Sequence, residues 1–581
     1  MRKILLKQNL NSSTACALAM LALAGGSAAR GAEVTYERLL NPEPQNWLMH
    51  HRDYGAQRRS PLDAINKSNV KGLKLLFAVP LGGKSAGESL EATPLVDDGF
   101  MYMVDSWGVV YKIDVRSGTA GTILWKMDPK EANQDRNRGV ALWGNLVISV
   151  TGYDGRVIAT DKETGAVVWD KNRIDQADLE LTAAPLALRD EILIGGSGGD
   201  RGLRGWLAAL DPRNGGNVIW KTYSIPAPSE PGSETWKDKV NAWQTGGGSF
   251  YGTGAYDPVA NLTYWGSGNP VPPYDPSFRP GDNLFTSSAI AFNAASGKIT
   301  WWHQYTPNDD RDYDETGAHV LIDTKVNGED RKLLAHAGRN GFTYSFDRLS
   351  GQFLKATQHV KVVTWTKGID PKTGRPLDYD PSRDVQIYAE KAGDLADKVE
   401  RRVCPNIAGG TNFWPVSYSS RTGALYIGAY EGCSAITVDA SAHVKGKFGG
   451  GGIGPAGAVT SSLTMLDPVT GEIKKRAEFP YPNASGTLST AGGLVFTALL
   501  DGTIVALDEE TLAEVWRFNV GTGVNAAPIT YAVGGKQYIA VSSGVCCVRP
   551  SGQISNSLAT VRRNPELKNQ SNATVLYVFG L

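Results

Sequence analysis

The stretch "IATDKETGAVVW" (158–169) reads as a short strand, an acid, a turn ending on glycine, and a second strand closing on tryptophan. An Asp-x-x-x-Gly segment is turn chemistry: the aspartate caps backbone N–H groups and the glycine takes a positive φ. The pattern recurs as "YKIDVRSGTAGTILW" (111–125), "AALDPRNGGNVIW" (208–220), "IAFNAASGKITW" (290–301), "YSFDRLSGQFL" (344–354), "TMLDPVTGEI" (464–473) and "VALDEETLAEVW" (505–516). Seven unevenly spaced copies describe a repeat array with loops inserted between repeats. Between them lie short β-rich runs such as "NLVISV" and "KQYIAVSS", broken by Gly, Asp and Asn, and long helical periods are scarce. Four-stranded units arranged radially form a β-propeller, and a Trp at a fixed offset suggests a ring stacked between neighbouring units. The final "ATVLYVFGL" (573–581) is expected to supply one strand of a last blade whose other strands come from the N-terminus. Long insertions fall between Asp211 and Asn293 and between Asp347 and Asp467, where function tends to lie.

At 581 residues the chain exceeds a typical single core, which suits such an array. Lys plus Arg and Asp plus Glu both number 59, so no basic bias marks a nucleic-acid partner. Arg2, Lys3 and Lys7 precede the apolar run "ACALAMLALAGG" and the small residues "SAARGA", the pattern of a secretory signal peptide. The run is too short to span a bilayer, and no later segment is apolar enough to do so. Domain boundaries are therefore expected at 1–32 for the signal and 33–581 for the propeller, placing the protein in the periplasm. Removal through Ala32 also takes Arg30 and no acid, leaving a net charge of −4. Export permits disulfides. Cys16 leaves with the signal, and Cys404, Cys433, Cys546 and Cys547 allow three pairings.

Several motifs fail on inspection. "GIGPAG" (452–457) matches G-x-G-x-x-G but contains a proline and precedes a strand-like run, without the helix a dinucleotide site needs. "GGSGGDRG" (195–202) and "AVPLGGKS" (78–85) each lack a required glycine. No C-x-x-C-H, G-x-S-x-G or H-E-x-x-H occurs, so nicotinamide, ATP and covalent haem are unsupported. More informative is "PNDDRDYDETG" (307–317), with Asp309, Asp310, Asp312 and Asp314 within six residues. Hard cations want several oxygen ligands, although an acidic run taken alone reads as a solvated loop.

Six stretches carry a resemblance: "NWLMHHRDYGAQRRSPLDAINKSNVKGLKL" (46–75), "GGSGGDRGLRGWLAALDP" (195–212), "GTGAYDPVANLTYWGSGNP" (252–270), "QYTPNDDRDYDETG" (304–317), "GGTNFWPVSYSSRTGALYIG" (409–428) and "GTLSTAGGLVFTALLDGTIVALD" (486–508). In this order they resemble the pyrroloquinoline quinone (PQQ)-dependent alcohol dehydrogenases, which include methanol and ethanol dehydrogenases. The resemblance implies an all-β, eight-bladed β-propeller closed by N- and C-terminal strands. It also implies oxidation of an alcohol to an aldehyde or ketone by hydride transfer to PQQ C5.

Roles carry over by position. The resemblance implies Asp200, Asn269 and Asp312 as metal ligands, with Asp312 also the catalytic base. It implies Glu91, Arg138, Thr182, Ser197, Gly198, Gly199, Tyr251, Arg339 and Asn412 as contacts to PQQ. PQQ is a flat trianionic ortho-quinone, so Arg138 and Arg339 serve as counter-charges, and the cation acts as a Lewis acid on the C5 carbonyl. Asp200 stands where the family usually has Glu, and Tyr251 replaces the usual Trp floor. Asp314 marks the lanthanide-using branches, so the cation is Ca²⁺ or a lanthanide(III).

The family's disulfide matches Cys404 and Cys433. Its vicinal disulfide falls on "ANQDRNRG" (132–139), which has no cysteine. Cys546 and Cys547, in "SSGVCCVRPSG" (542–552), are expected to form a strained bridge of neighbours at the pocket mouth in its place. Expected partners are a small-molecule alcohol and a separate electron acceptor, a cytochrome c, with a homodimer left open. Related quinoproteins acting on a sugar, polyol or polymeric alcohol are the nearest alternative; a non-catalytic propeller scaffold is the alternative of another class.

Overall fold

In each of the seven repeats the residue before the Trp position is squeezed out of the sheet as a β-bulge. Trp169 pairs with Ala159 and Val167 with Thr160, leaving Val168 unpaired between them. The same shift occurs at Leu124, Ile219, Thr300, Leu354, Lys474 and Val515. A bulge re-aims the following side chain, and here it turns the Trp onto the next repeat. It also accounts for the solvent exposure of Leu124, Val168 and Ile219.

The computed structural model describes residues 31–581 except 85–87, 172–179, 327, 389–399, 439–448, 455–456, 546–563 and 571. The signal segment therefore lies outside the described residues up to position 30, as does the Cys546–Cys547 bridge. Residues Glu33–Leu581 form one unit. It is an eight-bladed propeller of antiparallel blades, with one short α-helix among the described residues, Tyr36–Leu40.

The first blade is built from Leu95–Asp97, Phe100–Val104, Val110–Asp114 and Thr122–Met127. Its first three strands are almost wholly buried, while the outermost alternates between exposed and covered positions. This explains the uneven strand patterns in the sequence. Inner strands have blades on both faces and read as continuous apolar runs, whereas the outer strand meets solvent on one side.

Blades lock together through the terminal Trp. The indole Nε1–H of Trp125, Trp169, Trp220 and Trp301 donates to a backbone carbonyl in the next blade's turn (Lys162, Pro212, Ala294 and Arg348; 3.3, 3.0, 2.7 and 2.9 Å). Each ring lies over that turn's glycine: a Cβ on Gly165, Gly216, Gly297 or Gly351 would approach ring carbons within 2.8 Å. These glycines also have positive φ, so space and backbone both demand glycine. The fifth blade has Lys355 at the Trp position, and its side chain covers Gly471 of the next turn.

Ring closure differs in detail from expectation. The last blade takes one strand from the N-terminal region, Lys74–Pro80, which pairs with Val575–Gly580. Its other two strands are Lys536–Ser543 and Ile529–Val533, from the C-terminal part of the chain. A single N-terminal edge strand completes the hydrogen-bonding ladder left open by the other three. The long insertion between the fifth and sixth blades is tied by the Cys404–Cys433 disulfide, as the family pairing implied. Inserted chain also forms a small three-stranded sheet.

Trp220→Ala removes a half-buried ring and one hydrogen bond, and is expected to destabilise the fold by about 2–4 kcal/mol. Gly297→Ala, which forces a Cβ into the same ring, should act in the same direction. Thermal unfolding checks both, and an unchanged Tm in either variant would count against the contact.

Candidate active site

Every residue singled out for chemistry emerges at one end of the blades, close to the innermost strands. Glu91, Arg138, Thr182, Tyr251, Asp312, Asp314 and Asn412 lie in segments entering the innermost strands of the first six blades. Ser197, Gly198, Gly199, Asp200, Asn269 and Arg339 follow the second strands of the third, fourth and fifth blades. In an antiparallel blade the start of the first strand and the end of the second share an edge, so positions far apart in sequence meet around one rim.

On one side is a cradle. Arg138 pairs with Glu91 (Nη2 to Oε2, 3.0 Å) and donates from Nη1 to Thr182 Oγ1 (3.0 Å) and the Tyr251 carbonyl (3.1 Å). The Thr182 and Ser197 hydroxyls are hydrogen-bonded at 3.2 Å, and Gly199 N–H donates to Ser249 Oγ at 2.8 Å. The Arg138 guanidinium lies over the rings of Tyr251 and Phe413. Asn525 Nδ2 donates to Glu91 Oε1 (3.3 Å). A small cavity opens here, lined by His50, Glu91, Thr93, Arg138, Trp414 and Asn525 among others.

Opposite is an acidic wall. Asp312 is 5% exposed and sits at φ +64°, a region that costs a non-glycine residue energy and recurs at functional sites. Arg339 Nη2 binds Asp312 Oδ2 at 3.1 Å, its Nη1 contacts Asp314 Oδ2, and its Nε donates to the Ile407 carbonyl at 2.6 Å. Asp314 also accepts from Tyr251 O–H (2.7 Å) and from the Asn269 backbone N–H (2.8 Å). The Asn269 side-chain amide nitrogen donates to the Pro270 carbonyl (3.0 Å), so its amide oxygen is the atom available to a cation. Packing is close: a Cβ on Gly268 would meet Asp314 Oδ1 at 2.7 Å, and one on Gly409 would meet Arg339 Cγ at 2.0 Å.

The solvated-loop reading of the acidic run is overturned, because Asp309, Asp310, Asp312 and Asp314 are all buried. Burial pushes the Asp312 carboxyl well above the usual carboxylate range; Arg339 opposes this, while Asp200 and Asp309 reinforce it. Burial likewise raises Asp200, against Arg136, Arg339 and Arg201.

The cradle offers a flat anion guanidinium groups, hydroxyls and aromatic faces, and PQQ fits that set. The wall offers three carboxylates and one amide oxygen, the donor chemistry of a hard cation. Among the described residues no three acid, histidine or cysteine side chains converge as a metal cluster; Arg339 lies between Asp312 and Asp314 and shares their charge.

The sequence profile described as "Glucose/ethanol/alcohol dehydrogenase, beta-propeller domain", of the PQQ group, matches residues 47–368 and 457–539. The chain belongs to the PQQ-dependent alcohol dehydrogenase family. Quinoprotein alcohol dehydrogenase PedH of Pseudomonas putida is 35% identical over 559 residues, spanning 91% of each protein. Quinoprotein ethanol dehydrogenase of Pseudomonas putida is 32% identical over 584 residues, spanning 92% of each. Among solved structures, a europium-containing methanol dehydrogenase superposes with a TM-score of 0.83 at 29% identity, over 94% of this chain and 100% of the other. Quinohemoprotein alcohol dehydrogenase ADHIIG of Pseudomonas putida HK5 gives 0.84 at 32%, over 95% and 82%.

Within this quinoprotein three groups stand out that the sequence reading had not assigned. Glu315 accepts from Arg339 N–H (2.9 Å) and faces His336 Nε2 (2.9 Å), so it anchors the loop carrying Arg339. Its signal was present, one residue after Asp314 in the acidic run. Arg201 pairs with Glu180 at 2.5 Å beside Asp135. Arg136 lies two residues before Arg138, and its signal is an arginine within the segment "ANQDRNRG".

Asp309 shapes the loop bearing Asp312: its carboxylate accepts from Arg311 N–H (3.1 Å) and Tyr313 N–H (2.8 Å). Burial, with Asp310 nearby, raises its pKa to about 6. A carboxyl raised on folding stabilises the fold below its unfolded pKa of about 4, and that contribution is lost as pH rises through its folded pKa. Asp309→Asn should therefore flatten the fall in Tm between about pH 4 and 7, relative to the parent chain without metal or quinone. An unchanged slope would remove Asp309 as its source.

Proposed function

We propose that this chain oxidises an alcohol to an aldehyde or ketone in the periplasm, with PQQ and one hard cation, and passes the electrons to a separate cytochrome c. The observation that carries the reading is Asp312, buried and strained beside Arg339 and Asp200, facing a cradle built for a flat anion. Glu91, Arg138, Thr182, Ser197, Tyr251 and Asn412 would hold PQQ; Asp200, Asn269, Asp312 and Asp314 would hold the cation. PQQ, when bound, supplies the two-electron acceptor, and the cation supplies Lewis acidity.

The residues of the chain supply the rest. Asp312 Oδ2, oriented by Arg339, receives the proton of the alcohol hydroxyl. A neighbouring cation lowers the Asp312 pKa against the burial that raises it, and so provides the ionised base. Arg339 offsets negative charge on this wall, and its backbone is fixed by Glu315. Asp314 adds a third carboxylate, which suits a trivalent ion. Its Oδ2 is shared with Tyr251 and Arg339, so cation binding draws on a preorganised group.

Purified apoprotein reconstituted with PQQ and Ca²⁺ or La³⁺ is expected to reduce an artificial dye with at least one alcohol. Asp312→Asn should lower kcat about 10³-fold while quinone binding persists. No dye reduction across an alcohol panel would sink the enzyme reading. Asp314→Ala should weaken lanthanide affinity, read by sensitised Tb³⁺ luminescence, at least tenfold more than Ca²⁺ affinity. Equal losses would remove Asp314 as the group that selects the trivalent ion.

A further inference from the structure

Residues 404–412 leave the small inserted sheet and run against the acidic wall before the chain enters the sixth blade. Their root is fixed in several ways. Glu400–Val403 pairs with Ser434–Val438, with Val403 opposite Ser434. The Cys404–Cys433 disulfide joins the same end, and Cys433 stands just past Ala424–Glu431, the second strand of the sixth blade. Ile407 N–H donates to Ser434 Oγ at 3.1 Å, and Cys404 N–H to Thr364 Oγ1 at 2.9 Å. Both cysteines are buried. The segment is therefore tied to a blade and not only to its own loop.

Two of its carbonyls reach the wall. Tyr313, next in sequence to Asp312 and fully buried, donates its hydroxyl to the Pro405 carbonyl at 2.8 Å. Arg339 Nε donates to the Ile407 carbonyl at 2.6 Å, and the Arg339 carbonyl accepts from Gly410 N–H at 2.8 Å. There is no slack over Arg339, since a Cβ on Gly409 would meet its Cγ at 2.0 Å. The segment ends at Asn412 in the cradle, whose Nδ2 donates back to the Ala408 carbonyl at 2.9 Å.

Asp312 needs such a hold. At φ +64° its backbone is not one that local preference supplies, so the surroundings must over-determine its pose. Asp312 and Arg339 also lie on separate loops of the fifth blade, and their 3.1 Å contact depends on both loops staying in place. One anchored segment bonded to each loop fixes the two relative to one another. The hydroxyl of Tyr313 is the group that makes this link on the Asp312 side; a phenylalanine there would keep the ring against Trp365 (centroids 5.9 Å apart) and lose only the hydrogen bond.

We propose that the disulfide-tied segment 404–412 positions the acidic wall, with Tyr313 and the Cys404–Cys433 bridge as positioning residues that hold Asp312 against Arg339. This rests on the functional reading above, and the two fail separately. The test uses the full-length chain and reads two quantities: Tb³⁺ affinity from sensitised luminescence, which needs no turnover, and dye-linked kcat per bound PQQ. Tyr313→Phe should weaken Tb³⁺ binding and lower kcat, each about tenfold, the lower end of what losing a group behind a metal ligand costs, with KM for the alcohol within twofold. Cys404→Ala with Cys433→Ala should move both readouts the same way. Adding Tyr313→Phe to that pair should change them by less than a further threefold, because both act through one contact. A contact that served stability alone would lower Tm and PQQ content only. Changes of less than threefold in Tb³⁺ affinity and in kcat per bound quinone for Tyr313→Phe, or a further loss of threefold or more in the triple variant, would overturn the proposal. If the cysteine variant fails to fold, Tyr313→Phe decides by itself. A parent chain that takes up no PQQ, or reduces no dye with any alcohol, would overturn the functional reading and this inference with it.

Discussion

One contact recurs at four of the eight blade junctions and sets their geometry: an indole at the outer edge of one blade seated on the turn glycine of the next. The ring contributes apolar burial, the N–H a hydrogen bond to a backbone carbonyl, and the bulge before it the aim. Each blade is thereby held at a fixed angle and height against its neighbour. In the fifth blade, which lacks the Trp, Lys355 lies over Gly471 of the next turn, and Tyr538 from the second strand of the last blade lies against Gly118 of the first. The strand Lys74–Pro80 then closes the circle through the last blade.

A ring so built brings the starts of the innermost strands to a common rim, and the site is assembled from what those segments carry. The chemistry there runs against folding. Six carboxylates sit in a largely buried place and Asp312 is at positive φ, with arginines, backbone amides, the Tyr251 hydroxyl and the Asn525 amide compensating. Such an arrangement persists because the blades on either side are over-determined. Arg339 joins the two carboxylates nearest the chemistry, and Glu315 with His336 fixes Arg339 from behind. Tyr251 makes two contacts, its ring beneath Arg138 and its hydroxyl on Asp314. A Trp in that place would offer stacking without a hydroxyl to hold Asp314.

Much of this was legible in the residues. The seven turn segments, five of them closing on Trp, marked the blades, and the resemblance of the quoted motifs to a known family implied the roles of Asp312, Arg339 and Arg138. The reading stopped where sequence neighbours say little about spatial neighbours. The acidic run looked solvated because four aspartates within six residues normally are. The last blade was expected to draw mostly on the N-terminus because the strands at 529–543 carry no turn-and-Trp signature.

By itself, then, the sequence determined the repeat, the glycines that must stay glycine and the chemical types available to the site. Only the tertiary structure decided which of those types face one another: that Arg339 bridges Asp312 and Asp314, and that Asp314 is held by Tyr251. The reason is physical. Turn and strand preferences act over a few residues, whereas the field at a buried carboxylate is set by groups from different blades, brought within a few ångströms only when the ring closes.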